Sequence, residues 1–338
     1  MTPGYYLVKD KDGSVSGQDS ADYDIGDAVP FQLTGTVAQD YNDYKGAYQL
    51  VFHDTLSNGL TFNASSVKVY VNDSTDPVDA DKYTITNPTA DGHSFDVTIH
   101  DVKSLGTDVS KVRVEYTAEL NENAVIGSLG NPNKMYMEFS NNPNNEQGGD
   151  KGQTPEDKVI VFTYPEDKVI VFTYKVVINK IDSRRIPLAG AAFKLEKVFK
   201  DGTKKVVKEY TIGADENDLE KTKFEFTGLD DGQYILTETV APEGYNTMDP
   251  ITFNVIASHD TASADPKLTD LNGDPVNGEI EFTANKDKGT LTAAVVNYQG
   301  DELPSTGGMG TTILYAAGVI LILAAGAFLV MQKKAENK

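Results

Sequence analysis

The sequence predicts an all-β protein: two tandem immunoglobulin-like β-sandwiches followed by a C-terminal transmembrane helix. Three observations carry that prediction. Short segments alternating apolar and polar with period two recur from residue 5 to residue 299, separated by Gly, Asn, Asp and Pro. A polar stretch rich in Asn and Gly, Asn141–Thr154, divides these segments into two groups. The chain then closes on an unbroken apolar run, Ile313–Met331, which at ~1.5 Å per helical residue spans roughly 28 Å, enough for a bilayer's hydrocarbon core. The expected segments are 1–154 (first sandwich), 155–174 (linker or strand), 175–300 (second sandwich) and 301–338 (C-terminal span and its flanks).

In the first group, Phe31–Val37, Val67–Val71 and Val112–Tyr116 alternate as half-buried strands do. Asn58-Gly59, Asp91-Gly92 and Asn131-Pro132-Asn133 read as turns between strands. No convincing amphipathic helix interrupts residues 5–155, and strands at this spacing form a sandwich. Next comes a perfect duplication: Pro155–Tyr164 (PEDKVIVFTY) is repeated as Pro165–Tyr174. The shift is even, so either copy presents the same face of a strand, but Pro165 cannot donate to a ladder. Both copies therefore do not form one central strand, and one is expected to extend the linker. The second group opens with Val176–Ile181 and Phe193–Val198, turns at Asp201-Gly202, and continues through Phe224–Phe226, Tyr234–Glu238, Ile251–Val255 and Leu291–Tyr298. Asp215–Lys221 reads as a short helical turn.

Composition removes several functional classes. A net charge of −21, from 51 acidic and 30 basic residues, opposes nucleic-acid binding, which needs clustered cations against phosphate. With no cysteine, there are no disulfides, no thiolate catalysis and no cysteine-ligated metals, so an exposed protein needs another cross-link. His53, His93, His100 and His259 are the only histidines, and no HExxH, GxSxG or Gly-rich phosphate loop accompanies them. Such isolated histidines read as surface residues. Asp10–Gly13 and Asp270–Asp274 lack the later glutamate of an EF-hand and read as turns. The reading is a non-enzyme with no cofactor and no metal.

Leu303-Pro304-Ser305-Thr306-Gly307, the apolar run and the Lys333-Lys334 pair follow one another in that order. Together they resemble the cell-wall sorting signal of Gram-positive surface proteins. The resemblance implies a sortase partner that cleaves between Thr306 and Gly307 and joins Thr306 to peptidoglycan or to a neighbouring subunit. The precursor would insert transiently in the membrane through 313–331, with the basic tail inside and residues 1–302 outside. Export requires a signal that the stretch after Met1 lacks, so the chain reads as a fragment of a longer gene product.

Tyr234–Tyr245 matches every fixed position of a YxLxExxAPxGY pattern. This resembles the E-box of pilin domains of the collagen-adhesin B type, over residues 175–300. The resemblance implies an amide bond between Lys180 on the first strand and Asn297 on the last, promoted by Glu238. Phase agrees: Lys180 shares a strand face with Val176 and Ile178, Glu238 with Tyr234 and Leu236, and Asn297 with Leu291 and Val295. Three polar groups on apolar faces are costly unless they meet. Burial would favour a neutral, nucleophilic lysine, and an adjacent acid would pass a proton to the departing ammonia.

Leu50–Phe62, with Ser20–Asp27 and Phe139–Asn144, resembles the isopeptide-forming D2 domain of fimbrial subunits over about residues 5–155. It implies Asp54 as promoting acid and Asn141 as acceptor; Asp54 is in phase with Leu50 and Phe52, and Asn141 with Met135, Met137 and Phe139. Lys9, in phase with Tyr5 and Leu7, is the expected donor, with Lys11 or a lysine upstream of Met1 as alternatives. A YPK-type polymerisation motif is not matched, since Glu166 follows Tyr164-Pro165 and Tyr174-Lys175 has no proline. The implied function is a wall-anchored structural pilin subunit serving adhesion; the rival is a monomeric wall-anchored adhesin that binds a host or microbial ligand.

Overall fold

The computed structural model describes residues 6–8, 18–87, 94–144, 146, 167–213 and 218–299. Ten strands precede residue 173: β1 (Tyr6–Val8), β2 (Ser20–Asp22), β3 (Ala28–Thr36), β4 (Leu50–Leu56), β5 (Leu60–Val71), β6 (Tyr83–Thr86), β7 (Phe95–Ile99), β8 (Lys111–Leu120), β9 (Asn131–Phe139) and β10 (Asp167–Phe172). They form two sheets, ordered β1-β3-β8-β5 and β2-β10-β9-β4-β7-β6. Alternation seats the sheets on one another: Phe31 and Leu33 from β3 and Val112 and Val114 from β8 meet Leu50 and Phe52 from β4 and Met135 and Met137 from β9 in one buried core.

Nine strands follow: β11 (Tyr174–Asp182), β12 (Ala192–Val198), β13 (Lys204–Glu209), β14 (Lys223–Leu229), β15 (Gly232–Val240), β16 (Ile251–His259), β17 (Leu268–Pro275), β18 (Phe282–Asn285) and β19 (Thr290–Asn297). Their sheets run β14-β11-β19-β18 and β13-β12-β15-β16-β17 around a second core that includes Ile178, Phe193, Phe226, Tyr234 and Phe253. The molecule is thus all-β, and its described helices are short 3-10 turns, one of them Asp218–Glu220 within the stretch expected to turn. No helix among the described residues is long and apolar enough to cross a membrane, and the run 313–331 lies outside those residues.

In the segment 155–174, residues 167–172 of the second repeat copy are β10, antiparallel to β9 and parallel to β2, inside the first sandwich. Asn131-Pro132-Asn133 is not a turn but the start of β9, where Pro132 stands opposite Ile170. The turn chemistry of those residues yields to burial, since Asn131 and Asn133 are both fully inaccessible.

One buried residue, Thr173, separates β10 of the first sandwich from β11 of the second; its hydroxyl donates to the Leu229 carbonyl at 3.1 Å. The two bodies also touch backbone to backbone. Gly127 (φ +94°) faces Gly289 (φ +57°), and a Cβ on Gly127 would stand 2.5 Å from the Gly289 nitrogen, so neither position tolerates a side chain. Ile25 N–H of the first body donates to the Gly228 carbonyl of the second at 3.0 Å.

Candidate functional site: a buried lysine, acid and amide

Lys180 lies near the end of β11, where alternation buries Val176, Ile178 and then the lysine itself at 0 % exposure. β19 runs parallel beside it, with Lys180 opposite Val295 and Asp182 opposite Asn297. Lys180 and Asn297 are therefore diagonal neighbours on one sheet face. Glu238 reaches them from β15 in the facing sheet, and both it and Asn297 are buried. The three residues thus come from strands far apart in sequence and meet at one end of the sandwich.

The hydrogen bonds are directional. Asn297 Nδ2 donates to both carboxyl oxygens of Glu238, at 3.0 and 2.9 Å. The Met248 N–H donates to Glu238 Oε2 at 2.9 Å and holds the carboxyl in place. Lys180 Nζ donates to the Ile181 and Val295 carbonyls, both at 3.3 Å. Among the described residues, Asn297 Oδ1 is buried without a hydrogen-bond partner, an arrangement that carries a desolvation cost of about 1–3 kcal/mol. Burial pushes the Lys180 ammonium down to about 8, against the upward pull of the Glu238 charge. About a tenth of the amine is therefore neutral at pH 7, far more than for an exposed lysine.

The sequence after Glu238 positions the amide. Tyr245 N–H turns back onto the Pro242 carbonyl at 3.1 Å, with Gly244 at φ +79° supplying the left-handed turn. Tyr245 then bridges Gln299, and Asn246 N–H donates to the Tyr298 carbonyl at 3.1 Å, clipping the residues just after Asn297. This arrangement can hold a nucleophile, a carboxamide and an acid together away from water, with the acid on the nitrogen that would leave.

The first sandwich has a different geometry from the one expected. Asp54 is fully buried on β4, opposite Met135 of β9, but Asn141 is not beside it. Asn141 follows the end of β9, partly exposed and six residues beyond Met135, roughly 20 Å along an extended chain. The asparagine near Asp54 is Asn133, opposite Leu56 and linked to Asp54 through the Tyr116 hydroxyl. Sequence reasoning missed it because Asn133 was read as part of a turn, although it shares the phase of Met135 and Met137. Lys9 lies outside the described residues, as do Leu303, Pro304, Ser305, Thr306 and Gly307. The described register places Leu7 opposite Gln32 and Val8 opposite Phe31.

His53 is not a surface residue. It is buried between Asp96, at 2.8 Å from Nδ1, and Glu138, at 3.4 Å from Nε2, and stacks on Tyr136. Burial alone would lower its pKa, but the hydrogen bonds and charges of Glu138 and Asp96 outweigh that and hold it above the usual imidazole range.

A second polar cluster joins the sandwiches. Lys197 on β12 donates to Asp24 at 2.7 Å and also to Asp230. The Asp230 N–H donates to Asp24 at 2.9 Å, and the Tyr234 hydroxyl donates to the Asp230 carbonyl at 3.0 Å. Asp24, Asp27 and Asp230 bring carboxylate oxygens within 4.8 Å of one another, a spacing able to hold a cation. Here the Lys197 ammonium already lies bonded to two of them.

Comparison with known proteins follows the same division of the chain. Residues 174–270 match the family described as SpaA, a prealbumin-like fold domain, and residues 295–338 match the LPXTG cell wall anchor motif. The trypsin-resistant surface T6 protein of Streptococcus pyogenes serotype M6 is 26 % identical over 396 residues, covering 97 % of this chain and 69 % of that protein. The crystal structure of the group B streptococcus pilus 2b backbone protein is similar with a TM-score of 0.54 at 23 % identity, over 89 % of this chain and 99 % of that one. The T6 backbone pilin of serotype M6 Streptococcus pyogenes is similar with a TM-score of 0.56 at 19 % identity, over 89 % of this chain and 71 % of that one. At these identities the solved structures show the fold. The anchor motif, the SpaA-type domain and the T6 relative together support a cell-wall-anchored surface protein.

Proposed function

We propose that this chain is a structural pilin subunit, joined covalently by sortase through Thr306 and stiffened by a self-generated isopeptide bond between Lys180 and Asn297. The observation that carries this reading is the buried group of three, in which Asn297 Nδ2 rests on the Glu238 carboxyl and Lys180 lies on the neighbouring strand. In the step envisaged, the neutral Lys180 amine adds to the Asn297 carboxamide carbon. The bond to Nδ2 breaks, Glu238 delivers a proton to that nitrogen, and ammonia leaves. The proton shed by the amine restores Glu238. Folding supplies the proximity, which in well-oriented pairs is worth effective molarities of about 10⁵–10⁸ M. The reaction occurs once per chain, so it is maturation and not enzyme turnover.

The lysine sets a pH dependence. Only the neutral amine attacks, and its fraction grows tenfold per pH unit until the folded pKa of about 8 is passed. In refolding samples quenched over time, the rate of ammonia loss mapped to Lys180 and Asn297 should rise about tenfold from pH 6 to 7 and level off above 8. A rate independent of pH across that range would show that deprotonation of Lys180 does not limit the step.

The anchoring half of the proposal is tested in a sortase-bearing Gram-positive host. A polymerising subunit gives a ladder of high-mass species on a denaturing gel, and Thr306→Ala removes it. One wall-linked species of fixed mass would instead support the monomeric adhesin. Material released unprocessed from the membrane would overturn sortase anchoring altogether.

A further inference from the structure

The hairpin of β12 and β13 gathers positive charge on an otherwise acidic chain. Lys200, Lys204 and Lys205 lie between Lys197 and Lys208, and Asp201 is the only acid in that stretch. Lys197 is held in the buried cluster with Asp24 and Asp230. Lys200, Lys204, Lys205 and Lys208 are exposed, and among the described residues none of the four is ion-paired. Lysines on the adjoining strands differ: Lys194 holds Glu196, and Lys175 and Lys223 both hold Glu225. Asp201 commits its carboxylate to the Thr203 N–H and hydroxyl, at 2.9 and 2.6 Å, which closes the turn. Four ammoniums therefore face water without a carboxylate of their own, although the chain carries 51 acidic residues against 30 basic ones.

The shape of the patch is linear. β13 is the edge of its sheet, so the lysines line an open border of the second sandwich. From Lys204 to Lys208 an extended strand runs roughly 13 Å. Val206 between them is exposed too, and Lys208 Nζ lies 4.6 Å from the centre of the Tyr210 ring, which steadies that charge. The hairpin contains no arginine. Arginine's planar fork selects single carboxylates and phosphates, whereas lysine is a point charge, so this site reads charge density along a line. At physiological salt the surrounding negative surface is screened beyond about 8 Å, and a thin anionic chain can lie on the hairpin clear of it. A nucleic-acid duplex is broader, with grooves about 6 and 12 Å across, and would press its second backbone onto that acidic surface.

We infer that the β12–β13 hairpin is a docking site for a linear sulfated polysaccharide, held by Lys200, Lys204, Lys205 and Lys208. Sulfate esters stay ionised at every physiological pH and recur at short intervals along such a chain, which suits four cations within one hairpin. In the fibre proposed above the hairpin recurs once per subunit, so one polysaccharide would engage several copies and gain avidity without a new contact. That gain rests on the pilin reading; binding by a single chain does not.

The test measures binding of labelled heparin fragments to the full chain as wild type and as two triple variants. One is Lys204→Gln, Lys205→Gln, Lys208→Gln. The other, Lys68→Gln, Lys286→Gln, Lys288→Gln, removes the same charge from exposed lysines elsewhere. Glutamine replaces exposed side chains in both, and thermal melting verifies that each stays folded. The hairpin variant should bind at least about tenfold more weakly at about 50 mM salt. Its slope of log affinity against log salt should fall by about 2, at ~0.7 per lost contact. The control variant should match wild type. Equal losses in both variants would mean that heparin senses net charge only, and would overturn the site. Wild-type binding by the hairpin variant would overturn it too, leaving the lysines as guards against edge-to-edge pairing. So would a wild type that binds no heparin, and duplex DNA that outcompetes heparin would overturn the polysaccharide. Fibres from a sortase-bearing host should bind about 10²-fold more tightly than the single chain. Absence of fibres would defeat the pilin reading alone, because the single-chain comparison decides the docking site by itself.

Discussion

Glu238→Gln leaves the chain one ammonia heavier than wild type and lowers the stability of the second sandwich by about 4–5 kcal/mol. The first effect follows from position. Both Glu238 oxygens contact Asn297 Nδ2, and an amide in their place has no acidic proton to give the leaving nitrogen. The second follows from the loop that the bond would close between β11 and β19. By analogy with a disulfide across about 100 residues, closure stabilises by roughly 4–5 kcal/mol. For a domain of this size that corresponds to a melting temperature lower by about 15–20 °C. Intact mass and differential scanning calorimetry on the same preparation check both. A variant that still loses ammonia at the wild-type rate would remove Glu238 from the chemistry. A variant that keeps the amide yet melts as wild type would mean that the cross-link does not hold the sandwich together.

Lys197→Met is expected to cost about 3–5 kcal/mol and to loosen the two sandwiches from one another. It strips from a nearly closed site the ammonium that bonds both Asp24 and Asp230, and with it the attraction that offsets the repulsion between the two carboxylates. Asp24 belongs to the first sandwich and Asp230 to the second, so the loss falls on the contact between them. Adding Asp24→Asn and Asp230→Asn to the methionine variant should recover part of the stability, because neutral groups remove the repulsion. Urea denaturation of the full chain measures the cost, and small-angle scattering measures the freedom between the bodies. Wild-type values in both would mean that the Thr173 crossing and the facing glycines set the geometry without the ion cluster.

The period-two pattern determined much by itself. The all-β class and the faces of Lys180, Glu238 and Asn297 were legible, because a strand alternates strictly and three polar residues interrupted otherwise apolar faces. Periodicity says which face a residue occupies, not what lies opposite it. The parallel pairing of β11 with β19, and the crossing of Glu238 from the facing sheet, are properties of topology alone. The second repeat copy illustrates the same limit. Its composition suited either a linker or a strand, and a vacant place between β2 and β9 decided for the strand. Asn131-Pro132-Asn133 is the sharpest case. Local turn chemistry argued one way, while the ladder to β4 and burial in the first core argued the other, and tertiary packing prevailed. With that strand extended, Asn133 moved into reach of Tyr116 and Asn141 fell past its end. The Lys197 cluster left no periodic trace at all, since Asp24 lies 173 positions from Lys197 and meets it only because two folded bodies close on each other.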